Sequence, residues 1–261
     1  MTKAVAAILV VLSATPAFAQ DEHVGVRLRE WYAKMEGNLS SDGSLLGGSS
    51  ISLADDLGVG DPAWSTEIQV YGRIPFFGKL YAGWWRIDRS GDEILSRTLT
   101  FADQTFTVAT EVKTELTLDV GYLTYEFVFP SIPMGDLLKW EFGLQVGVRL
   151  MRGEGSLDSA FASGSDSGII GTPVVGGHAA LQVTPYLRAD VEVVGLGLSY
   201  SGRRGSYLEA YGEIVGQPFP WLFAGVGYKY VALRVKDGVG STDFDLDMHI
   251  TGLYLTAGVR F

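Results

Sequence analysis

The sequence predicts an all-β protein, a transmembrane antiparallel up-and-down β-barrel of ten strands. Apolar and polar residues alternate with period two over stretches of about ten residues or more, the length a tilted membrane-crossing strand needs. Short links between these stretches interleave with long polar ones, as turns on one rim and loops on the other would. After Gln20 no stretch approaches the roughly 18 consecutive apolar residues of a membrane helix.

The first strand, 23–39, alternates on either side of a phase shift at Arg29-Glu30. The second, 62–74, sets Trp64, Thr66, Ile68, Val70, Gly72 and Ile74 against Ser65, Glu67, Gln69, Tyr71 and Arg73. A short link at Pro75–Gly78 leads to the third strand, 79–90, and a long one, 90–107, to the fourth, 108–129. There Leu116, Leu118, Val120 and Tyr122 oppose Lys113, Glu115, Thr117 and Asp119, which assigns the apolar set to lipid. The fifth strand, 138–152, puts Trp140, Phe142, Leu144, Val146, Val148 and Leu150 on one face. Residues 155–172, rich in Gly, Ser and Asp, read as a surface loop. The remaining strands fall at 172–184, 186–200, 204–216, 220–235 and 244–261. Merging strands across the phase shift at Arg29 or across 201–205 would bring the count to eight.

Aromatics beside the short turns, namely Phe76, Phe77, Phe127, Phe129, Trp140, Phe142, Tyr186, Phe219, Trp221 and Phe223, suit one headgroup girdle. Trp64, Trp85, Tyr200, Tyr207 and Tyr230 suit the other.

Composition agrees. With 47% apolar and 19% charged residues the chain is too apolar to be disordered, and the absence of cysteine excludes disulfides, thiolate metal sites and cysteine nucleophiles. Residues 1–19 read as a cleavable secretory signal: Lys3, a short apolar run from Ala4 to Leu12, and Ala17-Phe18-Ala19 at the cleavage site. Its removal takes Lys3 from a chain of formal charge −10, so residues 20–261, the barrel domain, carry −11. So acidic a chain is no nucleic-acid binder.

The last residues, Leu253-Tyr254-Leu255-Thr256-Ala257-Gly258-Val259-Arg260-Phe261, place Leu253, Leu255, Ala257, Val259 and Phe261 on one face and end on an aromatic. This resembles the C-terminal signature of Gram-negative outer-membrane β-barrel proteins, the strand that their assembly machinery recognises. The resemblance implies residence in the bacterial outer membrane, contact with its lipid and lipopolysaccharide, and an assembly signal in Tyr254, Leu255, Ala257, Val259 and Phe261.

Polar faces assign Glu67, Arg73, Arg86, Asp88, Lys113, Glu115, Asp119, Glu141, Arg149, Arg188, Asp190, Glu192, Glu209, Glu213, Lys229 and Arg260 to the lumen. Both signs of charge in so narrow a space require an interlocked network, and ten strands leave little more room than the eight-stranded barrels that side chains fill. The expected interior is a polar core with no continuous pore, and the alternative is a narrow, slightly cation-preferring channel. Glycines at 121, 143, 147, 176, 225 and 227 would leave room for water or for Tyr71, Trp84 and Tyr254. His178 falls on the lumenal face as a satisfied interior histidine.

Asp243, Asp245, Asp247 and His249 project from one face of an extended chain. They form a hard-ligand set for Ca²⁺ or Mg²⁺, although one strand spreads its side chains too widely to chelate alone. The bland reading is a solvated strand extension, so neither metal nor cofactor is expected. His249 and Thr251 on the outer wall loosely resemble the lipid A deacylases, with Thr in place of Ser and no orienting acid. Omptin proteases share ten strands, and Asp55-Asp56 with Asp243–His249 supply their residue types without their motif. Arg203-Arg204 at a loop tip suits lipopolysaccharide phosphates. Residues 51–58 suit a short amphipathic turn or helix capping the mouth, hinged at Gly47-Gly48. The expected role is structural or surface-interacting rather than enzymatic.

Overall fold

A computed structural model describes residues 24–41, 50–74, 78–95, 98–101, 104–134, 138–160, 162–200, 203–237 and 244–261. The expected leader, Gly47-Gly48, Phe76, Phe77 and Asp243 lie outside them. Ten long strands form the wall: β1 (Val24–Ser41), β2 (Ala63–Ile74), β3 (Gly78–Ile94), β4 (Glu111–Val128), β5 (Leu138–Asp158), β6 (Ser163–Thr184), β7 (Leu187–Tyr200), β8 (Arg203–Phe219), β9 (Leu222–Asp237) and β10 (Phe244–Arg260). Each pairs antiparallel with its neighbour in the chain, and β10 returns to β1 from Ser41–Phe244 to Gly25–Arg260. Closure leaves no free edge for lipid to meet at that junction. Its last bonds join Phe261 to Val24, N–H to carbonyl in both directions, at 2.8 and 3.2 Å. β1 runs unbroken through Arg29, and the two residues 201–202 separate β7 from β8, so the count is ten.

The strands are 12 to 22 residues long, whereas about 9–11 suffice to cross the hydrocarbon. The excess rises above the membrane, and the meaning of inside and outside changes with it. In the lower half the outward positions are apolar: Val24 and Leu28 on β1, Leu123 and Phe127 on β4, Leu144, Val146 and Leu150 on β5, Leu253 and Leu255 on β10, all exposed. An apolar belt of this extent needs lipid. In the upper half the outward positions are polar: Lys34 and Glu36, Arg86 and Asp88, Lys113 and Glu115, Arg152, Arg234 and Lys236. The inward positions change oppositely. Arg27 and Arg29 give way to Trp31, Ala33 and Met35 along β1; Glu126, Thr124 and Tyr122 to Val120, Leu118 and Val112 along β4; Lys229 to Val231 and Leu233 along β9. The upper half is thus built like a water-soluble barrel with an apolar core, the lower half inside-out.

This inversion corrects several expectations. Leu118, Val120 and Tyr122 face inward, and Lys113, Glu115 and Asp119 face outward, the reverse of the lipid and lumen assignments. Arg86 and Asp88 are also outside, 44% and 63% exposed as side chains and bonded to one another at 2.9 Å. The pattern of alternation was legible; the change of solvent along each strand was not. Trp85, Tyr207 and Phe223 point into the barrel and leave the girdles. Trp140 and Phe142, stacked at 5.7 Å, Phe219 and Trp221 at 5.6 Å, and Phe127 with Phe129 at 5.3 Å stay at the lower rim. The glycine-rich stretch after residue 152 is not a long loop. β5 and β6 continue to a tight turn in which Ser159 N–H bonds the Ala162 carbonyl at 2.8 Å. Above the membrane a ladder needs no apolar side chains on its outer face.

The mouth is filled from the β1–β2 connection. Residues Ser50–Ser52 add a short strand to β1, the following turn begins with Leu53 N–H on Gly37 carbonyl at 2.9 Å, and Ile51, Leu53, Leu57 and Val59 enter the core. The turn closes at Gly58 with φ +65°, where a side chain would be strained. It rests on Gly91, whose missing Cβ would lie 2.2 Å from the Leu57 carbonyl oxygen.

Val146→Arg, in the lipid belt, should cost about 2–4 kcal/mol in urea unfolding of the refolded barrel in lipid. Ser90→Arg, on the upper outer wall, should change stability by no more than about 0.5 kcal/mol. Equal losses would contradict the placement of the belt.

Candidate functional site

The lumenal charges converge at mid-height, where opposite strands are close enough for their side chains to touch. Glu67 of β2 receives Arg29 Nη1 at 2.9 Å, Lys229 Nζ at 2.9 Å and the Tyr122 hydroxyl at 2.7 Å. Lys229 also bonds Glu209 Oε1 at 2.8 Å, and Glu209 Oε2 accepts Arg149 Nε at 3.0 Å. Arg149 extends to Thr124 Oγ1 at 2.7 Å. Glu213 takes Arg27 at 3.0 Å and the Tyr254 hydroxyl at 3.0 Å. Seven strands are thereby tied across the lumen.

The cations are also stacked on rings. Arg29 lies 4.5 Å over Tyr211, Arg149 4.7 Å over Tyr122, and Lys229 5.2 and 5.1 Å from Trp31 and Trp85. The two indoles meet edge to face at 5.8 Å. Their faces favour a cation below and a hydrocarbon core above, so this pair is the floor of the apolar half.

Nearer the lower rim, His178 Nδ1 faces Glu126 Oε1 at 3.1 Å and its Nε2 faces Asp190 Oδ1 at 3.0 Å. Arg188 bonds Asp190 and Glu141, both at 2.8 Å. The Tyr81 hydroxyl donates to Glu126 at 2.6 Å. Glu192 accepts from Gln145 and the Tyr211 hydroxyl, each at 2.9 Å. Arg260 donates to Gln217 and to the Pro220 carbonyl at 2.8 Å, and Arg73 is exposed at the same rim. The void between Arg29, Glu67, Gln145, Arg149 and Glu192 holds about 10 Å³, room for one water.

Of the expected lumenal residues, Glu67, Glu141, Arg149, Arg188, Asp190, Glu192, Glu209, Glu213 and Lys229 are gathered here. Arg86, Asp88, Lys113, Glu115 and Asp119 are not. Sequence reasoning missed Arg27, Arg29 and Glu126. The two arginines share the odd phase of Trp31, Ala33 and Met35, the signal obscured by assuming a phase shift. Glu126 was lost when the faces of β4 were exchanged. Tyr71 and Tyr254 lie against Gly25 and Gly227, where a Cβ would stand 2.2 and 2.3 Å from ring carbons.

On the upper outer wall Asp245 pairs with Lys236 at 3.2 Å and Asp247 with Arg234 at 3.0 Å. Cross-strand Lys236 and Arg234 thus neutralise two of the aspartates expected as ligands. His249 Nδ1 stands 3.6 Å from Asp247 Oδ1. Asp55 and Asp56 instead hold the mouth turn, bonding the Ser52 hydroxyl at 3.1 Å and the Ser52 amide at 2.8 Å. Tyr254 points into the lumen, while Leu255 and Ala257 face lipid.

No protein-family model matches the sequence, and no curated protein matches it. Among solved structures, the chain is similar to the outer membrane protease OmpT from Escherichia coli. The likeness covers 92% of this chain and 97% of that one, with a TM-score of 0.56 and 11% identity. The fold is that of the bacterial outer-membrane β-barrels. Neisserial surface protein A, at 13% identity over 91% and 97% of the two chains, and Ail of Yersinia pestis, at 10% over 92% and 100%, score 0.35 and 0.31. At such identity the likeness to OmpT extends to the fold and not to its chemistry.

Lys229→Met should cost about 3–5 kcal/mol, because it strands Glu67 and Glu209 without their shared cation. Adding Glu67→Gln should restore part of the loss in a double-mutant cycle of urea unfolding. A strictly additive pair would mean the three side chains are not coupled.

Proposed function

We propose that this chain is an integral outer-membrane protein with a structural or surface-interaction role, its lumen closed to ion flow and its long loops turned outward. The network from Arg27 and Arg29 through Glu67, Lys229, Glu209 and Arg149 carries this reading, because it occupies the lumen at mid-height and leaves room there for one water. Above it the core and the turn at 53–59 add an apolar stopper that hydrated ions do not cross. A continuous water path would need several ion pairs and the apolar stopper to open together.

Export through a cleaved leader at 1–19 and assembly through Leu255, Ala257, Val259 and Phe261 complete the proposal. Its support is the bonding of Phe261 to Val24, which makes the terminal residue the last stitch of closure. Lipid and lipopolysaccharide are the proposed surroundings of the outer belt. No hydrolytic role is proposed, since the carboxylate nearest His249 is held by Arg234.

Single-channel recording of the refolded protein in a planar bilayer should give a silent membrane over a range of salts. Steady cation-selective steps would replace the closed barrel with a narrow channel.

A further inference from the structure

The wall is not equally closed all the way round. The β6–β7 ladder stops at Val175–Gly195, although β6 continues alongside β5 to Ser163–Asp158 and β7 alongside β8 to Tyr200–Arg203. Above Val175, Gly168–Val174 therefore form one lip of a fissure and Leu196–Tyr200 the other.

Residues of the inward phase betray the opening. Ile170 shares a layer with Met151, its partner on β5, which is 3% exposed, yet Ile170 is 39% exposed. Leu198 on the opposite lip is 49% exposed. Gly168 is exposed, and a Cβ there would meet nothing within 4 Å. The described lining, Gly168, Ile170, Thr172, Leu196 and Leu198, contains no charge. The inward residues around it, Val174, Val194, Met151 and Tyr207, are buried, so the fissure is a slot in the wall bordered by core.

We propose that this slot takes one acyl chain of a lipid from the membrane leaflet on the loop side. Continuity with the lipid-facing belt identifies the occupant. Leu150 and Ile169 on the outer face beside the β6 lip, and Val175 and Val193 at and below the last rung, are all exposed and apolar, so the belt runs to the lower end of the opening. Arg152, paired in register with Ile169 and bonded to Glu154, marks the height where hydrocarbon gives way to headgroups. Chain methylenes entering there pass from one apolar surface to another while the headgroup stays outside. A docked peptide strand suits the lip less well, because Pro173 offers no amide donor and the glycines offer no side-chain pockets.

The test uses the cysteine-free chain. Ile170→Cys and, separately, Leu198→Cys carry a bimane label in phosphatidylcholine vesicles, and quenching by phosphatidylcholine bearing a doxyl group near the top of its chain is compared with quenching by aqueous iodide. Val120→Cys serves as the buried reference and Leu150→Cys as the lipid-facing one, and heat-modifiable gel migration selects folded protein. Doxyl-lipid quenching at 170 and 198 as strong as at 150, and its loss on adding Gly168→Trp, is the expected result. Iodide quenching alone would mean a water-filled cleft and overturn the proposal. Protection from both quenchers would mean a zipped seam or a strand or second copy docked on the lip, and would overturn it equally.

Discussion

Lys229 sits where two solvents meet inside one protein. Its ammonium bonds Glu67 and Glu209 at 2.9 and 2.8 Å on one side and lies against Trp31 and Trp85 on the other. Below it the barrel is surrounded by hydrocarbon and can hold charge only within; above it the barrel is surrounded by water and can hold hydrocarbon only within. An unpaired cation at this depth would cost several kcal/mol, so the height of Lys229 constrains the carboxylates beneath it, and the indoles fix the start of the core above. The inversion along β1, β4 and β9 follows from that one level.

The same layer explains why the interior is full. A charged lumen would ordinarily hold water, but guanidinium groups stacked on Tyr122 and Tyr211 and hydroxyls bonded to Glu67, Glu126 and Glu213 replace it with protein. Replacing such a network by apolar residues would satisfy the same space, so its presence argues for a fixed strand register more than for raw stability. Above the last rung of the β6–β7 ladder, Val175–Gly195, the wall ceases to close on itself.

Much of this was legible in the sequence. Ten strands, their order and most of their boundaries follow from alternation and punctuation, and nine of the expected lumenal residues meet in the lumen. What escaped were assignments that depend on the surrounding medium. Leu118 and Val120 look like lipid-facing residues when a single solvent is assumed for the whole strand, and Arg86 and Asp88 look lumenal for the same reason. Arg27 and Arg29 were hidden by treating a change of chemistry at Glu30 as a change of phase. The run after Gly153 read as loop because glycine and serine usually punctuate, yet above the membrane they serve equally well in a ladder. The fissure has no sequence signal beyond the glycines around Pro173.

β4 tests the inversion most directly, since the two readings of its faces are opposite. Single-cysteine spin labels at each position of Glu111–Val128, in a chain with no cysteine of its own, report collisions with oxygen in lipid and with a nickel chelate in water. The inverted barrel predicts oxygen access at 121, 123, 125 and 127, nickel access at 113, 115, 117 and 119, and protection from both at 112, 118, 120 and 122. Oxygen access at 118 and 120 with protection at 113, 115 and 119 would contradict it, and would return Lys113, Glu115 and Asp119 to the lumen.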